Sequence, residues 1–273
     1  MSSQSKPYMH VKEIKKSFKI KDGEVQVLKS ITTTIGHGEF VIIFGPSGCG
    51  KSTFLHTLLG LEPPTSGSIT IDNKDYYSMS EDERAMYRRY NFGIIYQQPL
   101  WITSLNVYDN IAFTLHLLDK NSNEMMKQVL DTLALVGMDH WVHYRPTELS
   151  SGQQQKISLA RALALDPVLI VADEPTGNLD TVSGQDLINT FCKLNKMGKT
   201  IIMVTHDLEY LHYGTHLIHM LDGQIVEDVY LDEQNTLAQV RGKRGLNSEA
   251  TAASESNVRD PDFLKNMKQK LEI

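Results

Sequence analysis

Eight consecutive residues, Gly45-Pro46-Ser47-Gly48-Cys49-Gly50-Lys51-Ser52, fit the pattern GxxxxGK[ST] in full, and Thr53 follows them. Each residue type has a chemical reason to stand there. Glycines let successive backbone N–H groups curl around phosphate oxygens where a Cβ would clash. A helix opening at the end of the loop adds its positive dipole end. A lysine at the position of Lys51 reaches the β- and γ-phosphates of a nucleotide, and a hydroxyl at the position of Ser52 ligates Mg²⁺. A chance glycine turn would lack flanking elements. Here both are present, the β-branched run Glu39–Phe44 (EFVIIF) before the loop and the apolar stretch Ser52–Leu61 (STFLHTLLGL) after it. Cys49, inside the loop, reads as a small filler rather than a reactive thiol.

A second run, Val168-Leu169-Ile170-Val171-Ala172-Asp173-Glu174, is an apolar strand ending in two carboxylates. Buried strands rarely finish this way without a cation or a reaction to serve. Asp173 is placed to hold the magnesium shell through water. Glu174 is placed to polarise an attacking water as general base. A solvated strand end is the plain alternative, and it loses ground once a phosphate loop stands in the same chain.

These groups need a frame. The first ~45 residues are β-rich, with a loose alternation through Val25, Val27, Leu28, Ile31, Thr33 and Ile35 and a turn at Gly36 and Gly38. Pro63, Pro64 and Gly67 end the helix after the loop, and Ser68–Asp72 reads as a strand. Ser80 and Glu83 form a capping box for a helix reaching Tyr90, and Phe92–Tyr96 returns to strand character. From about Leu100 to Ala164 the periodicity is mainly helical. Met125, Met126, Val129, Leu130 and Leu133 fall on one helix face, which reads as core. Val168–Asp173 and Thr200–Thr205 (TIIMVT) are short apolar strands separated by a helix over Val182–Met197. Strands alternating with helices imply an α/β fold with a mostly parallel sheet. Asp222-Gly223 marks a hairpin between Leu217–Leu221 and Gln224–Val229.

Composition bounds the function. The chain has 273 residues, 41% hydrophobic and 22% charged, with a formal charge of −6. The acidic balance gives no basic field for nucleic acid. Cys49 and Cys192 lack CxxC spacing, so neither a zinc site nor a disulfide framework is indicated. No apolar run approaches the ~20 residues that span a bilayer. A soluble cytoplasmic protein is expected, with any membrane contact made through a partner. After about Gln234 the chain turns polar, and a flexible linker is expected over 233–261. Phe263, Met267 and Leu271 then lie on one face of a short amphipathic segment over 262–273.

A phosphate loop with an acidic strand is common to many nucleotide-hydrolysing families, and a third segment decides among them. Leu149-Ser150-Ser151-Gly152-Gln153, continued by Gln154-Gln155-Lys156, resembles the LSGGQ signature of the ABC (ATP-binding cassette) ATPases. It precedes a helix expected over Lys156–Leu165, in the order the family uses. The resemblance covers roughly Tyr8 to Asp232. It implies a P-loop NTPase core, an N-terminal antiparallel β subdomain and a helical subdomain inserted at about 99–164. Further segments resemble family elements in register: Gln97 the Q-loop residue, which senses magnesium and faces the transmembrane partner; Asn178-Leu179-Asp180 the D-loop; His206 the switch histidine at the γ-phosphate; Phe18 the aromatic stacked on adenine. The string Ala172-Asp173-Glu174-Pro175-Thr176-Gly177-Asn178-Leu179-Asp180 looks like the branch of lipoprotein-releasing, macrolide-exporting and cell-division ATPases, whose membrane partners carry large extracytoplasmic domains. Ser151 departs from the signature, standing where the family has its first glycine.

The resemblance implies a head-to-tail homodimer with two ATP molecules and Mg²⁺ between the subunits. Lys51, Gln97, Glu174 and His206 of one subunit would face Ser150, Ser151, Gly152 and Gln153 of the other, with Asp180 nearby. ATP would then act as glue, its differential contacts driving closure, and the helical region would pass the motion to transmembrane subunits. An alternative is a slow-turnover, ATP-dependent regulatory switch of a membrane complex, with Ser151 weakening the signature. A soluble ABC protein of DNA repair or translation fits less well, because those carry long coiled coils or two cassettes per chain.

Overall fold

The computed structural model describes residues 7–21, 23–116 and 121–231. The linker expected over 233–261 and the amphipathic segment over 262–273 lie outside the described residues.

Two long strands open the chain, β1 (Pro7–Ile20) and β2 (Gly23–Gly36), paired antiparallel from Pro7↔Gly36 to Ile20↔Gly23. The buried strand β3 (Phe40–Phe44) follows and delivers the chain into helix α1 (Lys51–Leu58). β4 (Ser66–Ile71) and β5 (Lys74–Asp75) return to the first sheet, whose order is β2-β1-β4-β5. Helix α2 (Glu81–Asn91) carries the expected capping box, Ser80 accepting from Glu83 N and Glu83 reaching back to Ser80 N. Next come β6 (Phe92–Tyr96), α3 (Val107–Leu115), α4 (Ser122–Leu135) and α5 (Ser151–Leu163). The chain then alternates through β7 (Leu169–Asp173), α6 (Thr181–Lys196) and β8 (Thr200–Thr205). It closes with the hairpin β9 (His216–Leu221) and β10 (Gln224–Tyr230), turning at Asp222-Gly223 as its residues predict.

The second sheet has the order β10-β9-β3-β8-β7-β6. All of its neighbouring pairs are parallel except β10 with β9. Every residue of β3 is buried because both faces of this sheet are covered. Period-two alternation divides the strands between two cores. Val41, Ile43, Val171, Ile202 and Val204 face Phe54, Leu55 and Leu58 of α1 and the antiparallel sheet. Phe40, Ile42, Ile170, Ala172 and Met203 face the helices α3 to α6. The methionine stripe on α4 splits. Met125, Val129 and Leu133 are buried, whereas Met126 and Leu130 are exposed, because only one edge of that face meets the core. Among the described residues no helix is long and apolar enough to cross a membrane.

One sequence expectation is corrected. The helix expected over Lys156–Leu165 begins at Ser151, so the signature is its first turn rather than a loop before it. The cause is a capping box. Ser150 accepts from Gln153 N, and the Gln153 side chain accepts from Ser150 N at 2.9 Å.

Candidate active site

Parallel pairing brings the predicted groups together. β3 runs into the loop 45–50, β6 into Gln97, β7 into Glu174 and β8 into His206, and these strands are neighbours in the order β3-β8-β7-β6. The register Phe44↔Thr205, Asp173↔Val204 and Tyr96↔Asp173 aligns their carboxyl ends along one edge. Ligands of such sheets bind outside that edge.

The phosphate loop is built for close approach. Gly45 has φ 150°, and a Cβ on it would stand 2.1 Å from the Met220 carbonyl oxygen. Gly50, at φ 102°, takes the N-cap position of α1 in a left-handed conformation. No side chain caps α1, whereas Ser80, Asn106, Asn121, Ser150 and Asp180 cap the other five α-helices among the described residues. The N–H groups of its first turn are therefore left to an anion. Pro46, Ser47 and Gly48 are exposed along the loop, and Thr53 lies half-buried in the first turn. Lys51 is only 5% exposed; its Nζ donates to the carbonyls of Gly45 (2.8 Å) and Pro46 (2.9 Å), curled into its own loop. Burial pushes the Cys49 thiol up against the pull of Lys51, which keeps it protonated and inert, as a filler should be.

Sequence reasoning missed how this loop is braced. Gly223 N donates to the Cys49 carbonyl at 3.0 Å, and Lys29 N donates to the Gly223 carbonyl at 2.7 Å. The β9–β10 turn thus clamps the phosphate loop to β2. The Asp-Gly signal that located the turn gave no hint of this contact.

Across the sheet edge, Ser52 Oγ lies 3.4 Å from Asp173 Oδ1. Burial pushes the Asp173 carboxyl above its usual range; His56 opposes this and the Glu174 charge adds to it. Among the described residues no group of three or more His, Cys, Asp or Glu side chains could hold a metal ion. Mg²⁺ does not need one, since it keeps several waters and takes one or two protein ligands beside phosphate oxygens. A hydroxyl and an under-compensated carboxyl side by side fit that demand.

Glu174 stands at φ 47°, a conformation uncommon for a residue with a side chain. Its N–H donates to the Val204 carbonyl at 2.9 Å, which fixes the turn out of β7 against β8. Its Oε2 then lies 3.2 Å from His206 Nδ1. Gln97 is exposed, with its side-chain amide over Gly177: a Cβ at Gly177 would be 2.7 Å from Gln97 Nε2. Gln97, Glu174 and His206 therefore form one continuous edge beside the phosphate loop.

The signature lies on other contacts. Ser150 Oγ accepts from Gln153 N at 3.3 Å, and its hydroxyl proton is left to donate elsewhere. Ser151 is exposed at the first position of α5. Gly152 is buried against α6, where an added Cβ would come 2.7 Å from both Cβ and Oγ of Ser183. Ser183 is in turn held by Asp180, the N-cap of α6, through Ser183 N (2.9 Å) and Ser183 Oγ (2.7 Å). These bonds hold the exposed Asp180 carboxyl below its usual range. The signature and the Asp180 turn are thus seated on each other within one chain. Phe18 is exposed on β1 with the Lys16 ammonium 4.8 Å from its ring centroid, while nearby Tyr8 is buried and has no face to offer a ligand.

Comparison with known proteins agrees with this arrangement. The ABC transporter family matches residues 28–177. The cell division ATP-binding protein FtsE of Bacillus subtilis is 37% identical over 217 residues, 79% of this chain and 95% of its own. The lipoprotein-releasing system ATP-binding protein LolD of Colwellia psychrerythraea is 36% identical over 214 residues, 78% and 83% of the two chains. Among solved structures, the ATP-binding cassette MJ0796, in a dimeric post-hydrolysis state bound to ADP and Pi, superposes with a TM-score of 0.76 at 34% identity. That match covers 82% of this chain and 99% of the other.

Proposed function

The chain belongs to the ABC transporter family, as an ATP-binding subunit of the branch with the cell-division, lipoprotein-releasing and macrolide-export ATPases, and from that premise we propose that it works as a head-to-tail homodimer whose ATP-driven closure moves transmembrane partner subunits. Its activity is ATP hydrolysis. The dimer would hold two ATP molecules, each between the phosphate loop of one subunit and Ser150–Gln153 of the other. The work done on the partners is export, lipoprotein extraction or mechanical transmission, performed on the cytoplasmic face of a membrane by partners with extracytoplasmic domains.

The observation that carries this reading is the Glu174–His206 pair beside the uncapped start of α1, reached from adjacent parallel strands. Lys51 exchanges its two loop carbonyls for β- and γ-phosphate oxygens. Ser52 and Asp173 would hold Mg²⁺, which neutralises charge building on the phosphates. Glu174 takes the proton of the attacking water, and His206, its Nδ1 3.2 Å from Glu174 Oε2, stands beside the carboxylate and meets the γ-phosphate. Gln97 reports the state of this edge to the helical region 99–164, which engages the membrane subunits. Phe18 offers its exposed ring to adenine.

Replacing Glu174 with Gln tests the assignment. Turnover is expected to fall ~10²- to 10⁴-fold, the usual effect of losing a general base, with ATP binding preserved and an ATP-bound dimer accumulating on size exclusion. Hydrolysis near the parent rate would remove Glu174 from the role of base.

A further inference from the structure

One buried glutamine reaches both halves of this machinery. Gln155 projects from α5, one turn beyond the signature, and is 2% exposed. Its Nε2 donates to the carbonyl of Tyr96 at 2.8 Å and to that of Pro175 at 2.9 Å, and lies 3.4 Å from the Gln97 carbonyl. Tyr96 and Gln97 are the end of β6 and the first residue beyond it; Pro175 directly follows Glu174. The Oε1 atom of the same amide is buried with no hydrogen-bond partner. Reversing the amide would aim Oε1 at these carbonyls, so the orientation is forced. A buried orphan acceptor calls for an explanation, and the nitrogen supplies one: both of its hydrogens are committed to loop backbones on two different strands.

We infer that Gln155 is a positioning residue that locks the signature helix to the Gln97 and Glu174 loops of the same chain, so that ATP at one site of the dimer sets the pose in which this subunit meets the other. The inference rests on the proposed roles of Gln97 and Glu174. Its physical basis is short. When the attacking water beside a γ-phosphate engages the carboxylate of Glu174 and the phosphate edge engages the amide of Gln97, the adjoining carbonyls are held in place. The Gln155 amide, bonded to two of them, then holds the first turn of α5 at one height and tilt relative to the sheet. Ser150 and Gly152 lie on that turn, and in the proposed dimer they face the nucleotide of the partner subunit. Gln154 supports the same joint: it accepts from Trp101 Nε1 at 3.0 Å and donates to the Leu149 carbonyl at 3.0 Å, tying the chain beyond Gln97 to the start of the signature.

The test uses the full chain in a Glu174→Gln background, with Mg²⁺ and ATP added. Gln155→Met keeps length and volume but removes both donors. ATP affinity measured at protein concentrations below dimerisation should stay within about twofold, while the unfolding temperature should fall by several degrees because two carbonyls lose their donor. The dissociation constant of the ATP-bound dimer should rise at least tenfold. In the hydrolysis-competent chain the same change should lower kcat tenfold or more with KM little moved. Gln155→Asn, which keeps an amide too short to reach both carbonyls, should reproduce these effects and serves if the methionine variant does not fold. Parent-like dimerisation by either folded variant overturns the inference. So does a loss of dimerisation that merely follows an equal loss of monomer ATP affinity, since Gln155 would then be a structural residue. The underlying reading fails separately: if Glu174→Gln alone hydrolyses ATP at the parent rate, the roles assigned to the loops are wrong, and the inference falls with them.

Discussion

Gly152 offers a sharp trial of where the signature's glycine requirement comes from. Family resemblance alone would assign it to close approach by the partner's nucleotide. The structure gives an intrachain reason. A methyl group at residue 152 would sit 2.7 Å from Cβ and Oγ of Ser183, against an ordinary carbon contact of about 3.5–4.0 Å, so α5 and α6 would have to part by roughly 1 Å. Ser183 cannot swing away cheaply, because Asp180 holds both its N–H and its hydroxyl. Overpacking of this kind costs about 1–3 kcal/mol. The better helix propensity of alanine returns up to ~1 kcal/mol. At the middle of that range a net loss of about 1–2 kcal/mol remains, or about 2–8 °C in Tm for a chain of this size. Ser183→Gly removes both clashing atoms. In a double-mutant cycle read by chemical denaturation, Gly152→Ala with Ser183→Gly should therefore show favourable coupling of about 1 kcal/mol or more. An unchanged Tm for Gly152→Ala, or simple additivity of the two changes, would refute the packing argument and return the glycine to the partner's nucleotide.

Lys51→Ala should weaken ATP binding ~10- to 150-fold, the equivalent of one charge-assisted hydrogen bond worth roughly 1.5–3 kcal/mol; unchanged affinity in a titration would remove the phosphate-loop assignment. Ser151→Gly in the Glu174→Gln background should leave monomer ATP affinity constant and strengthen ATP-dependent dimerisation, since the exposed side chain at the start of α5 stands where the family has none; no change in dimerisation would detach residue 151 from the closed site. The buried His216 makes a pH prediction. Burial disfavours its charged ring, but hydrogen bonds to Asp228 (2.6 Å) and Glu39 (3.2 Å) outweigh this and hold its pKa above the ordinary value. The stability it contributes is therefore fully present below its unfolded pKa of about 6.5 and is lost as pH rises through the higher folded value. Asp228→Asn should accordingly destabilise more at pH 6 than at pH 9 in urea titrations, and an equal loss at both would show the ring to be neutral throughout.

The sequence made the sheet and its edge legible because both are local. EFVIIF, VLIVAD and TIIMVT are short β-branched runs with nothing else to become, and each is followed directly by a residue whose chemistry stands out: a glycine loop, Glu174, His206. Parallel pairing then had only to align three strand ends. What stayed hidden depends on long-range contact. The turn at Asp222-Gly223 announces itself, but its grip on the Cys49 carbonyl requires knowing that β9 lies beside β3. Gln155 did leave a trace, since a glutamine on the stripe Gly152, Leu159 and Leu163 of α5 is a polar group on a buried face. Its partners on β6 and after β7 are 59 and 20 residues away along the chain and could not be named from spacing. The start of α5 was misplaced for a different reason. Ser-Ser-Gly-Gln reads as a loop by composition, and only the reciprocal bonds of Ser150 and Gln153 turn it into a helix N-terminus.

That placement changes how the signature should be understood. As a flexible loop it would adapt to the nucleotide across the dimer. As the first turn of a helix, it is capped at Ser150, seated by Gly152 on Ser183 and joined by Gln155 to the loops after β6 and β7, so any adaptation must carry these contacts with it. Its pose is inherited from the sheet edge and from α6. Two consequences follow from rigidity alone. In the proposed dimer, contacts with the partner's ATP would come without further loss of loop entropy, which would favour closure once the pose is right. A wrong pose cannot be repaired locally, so closure should be all-or-none with respect to the state of Glu174 and Gln97. The coupling that the proposed dimer needs between its two faces can thus run through one capped helix turn and one buried amide.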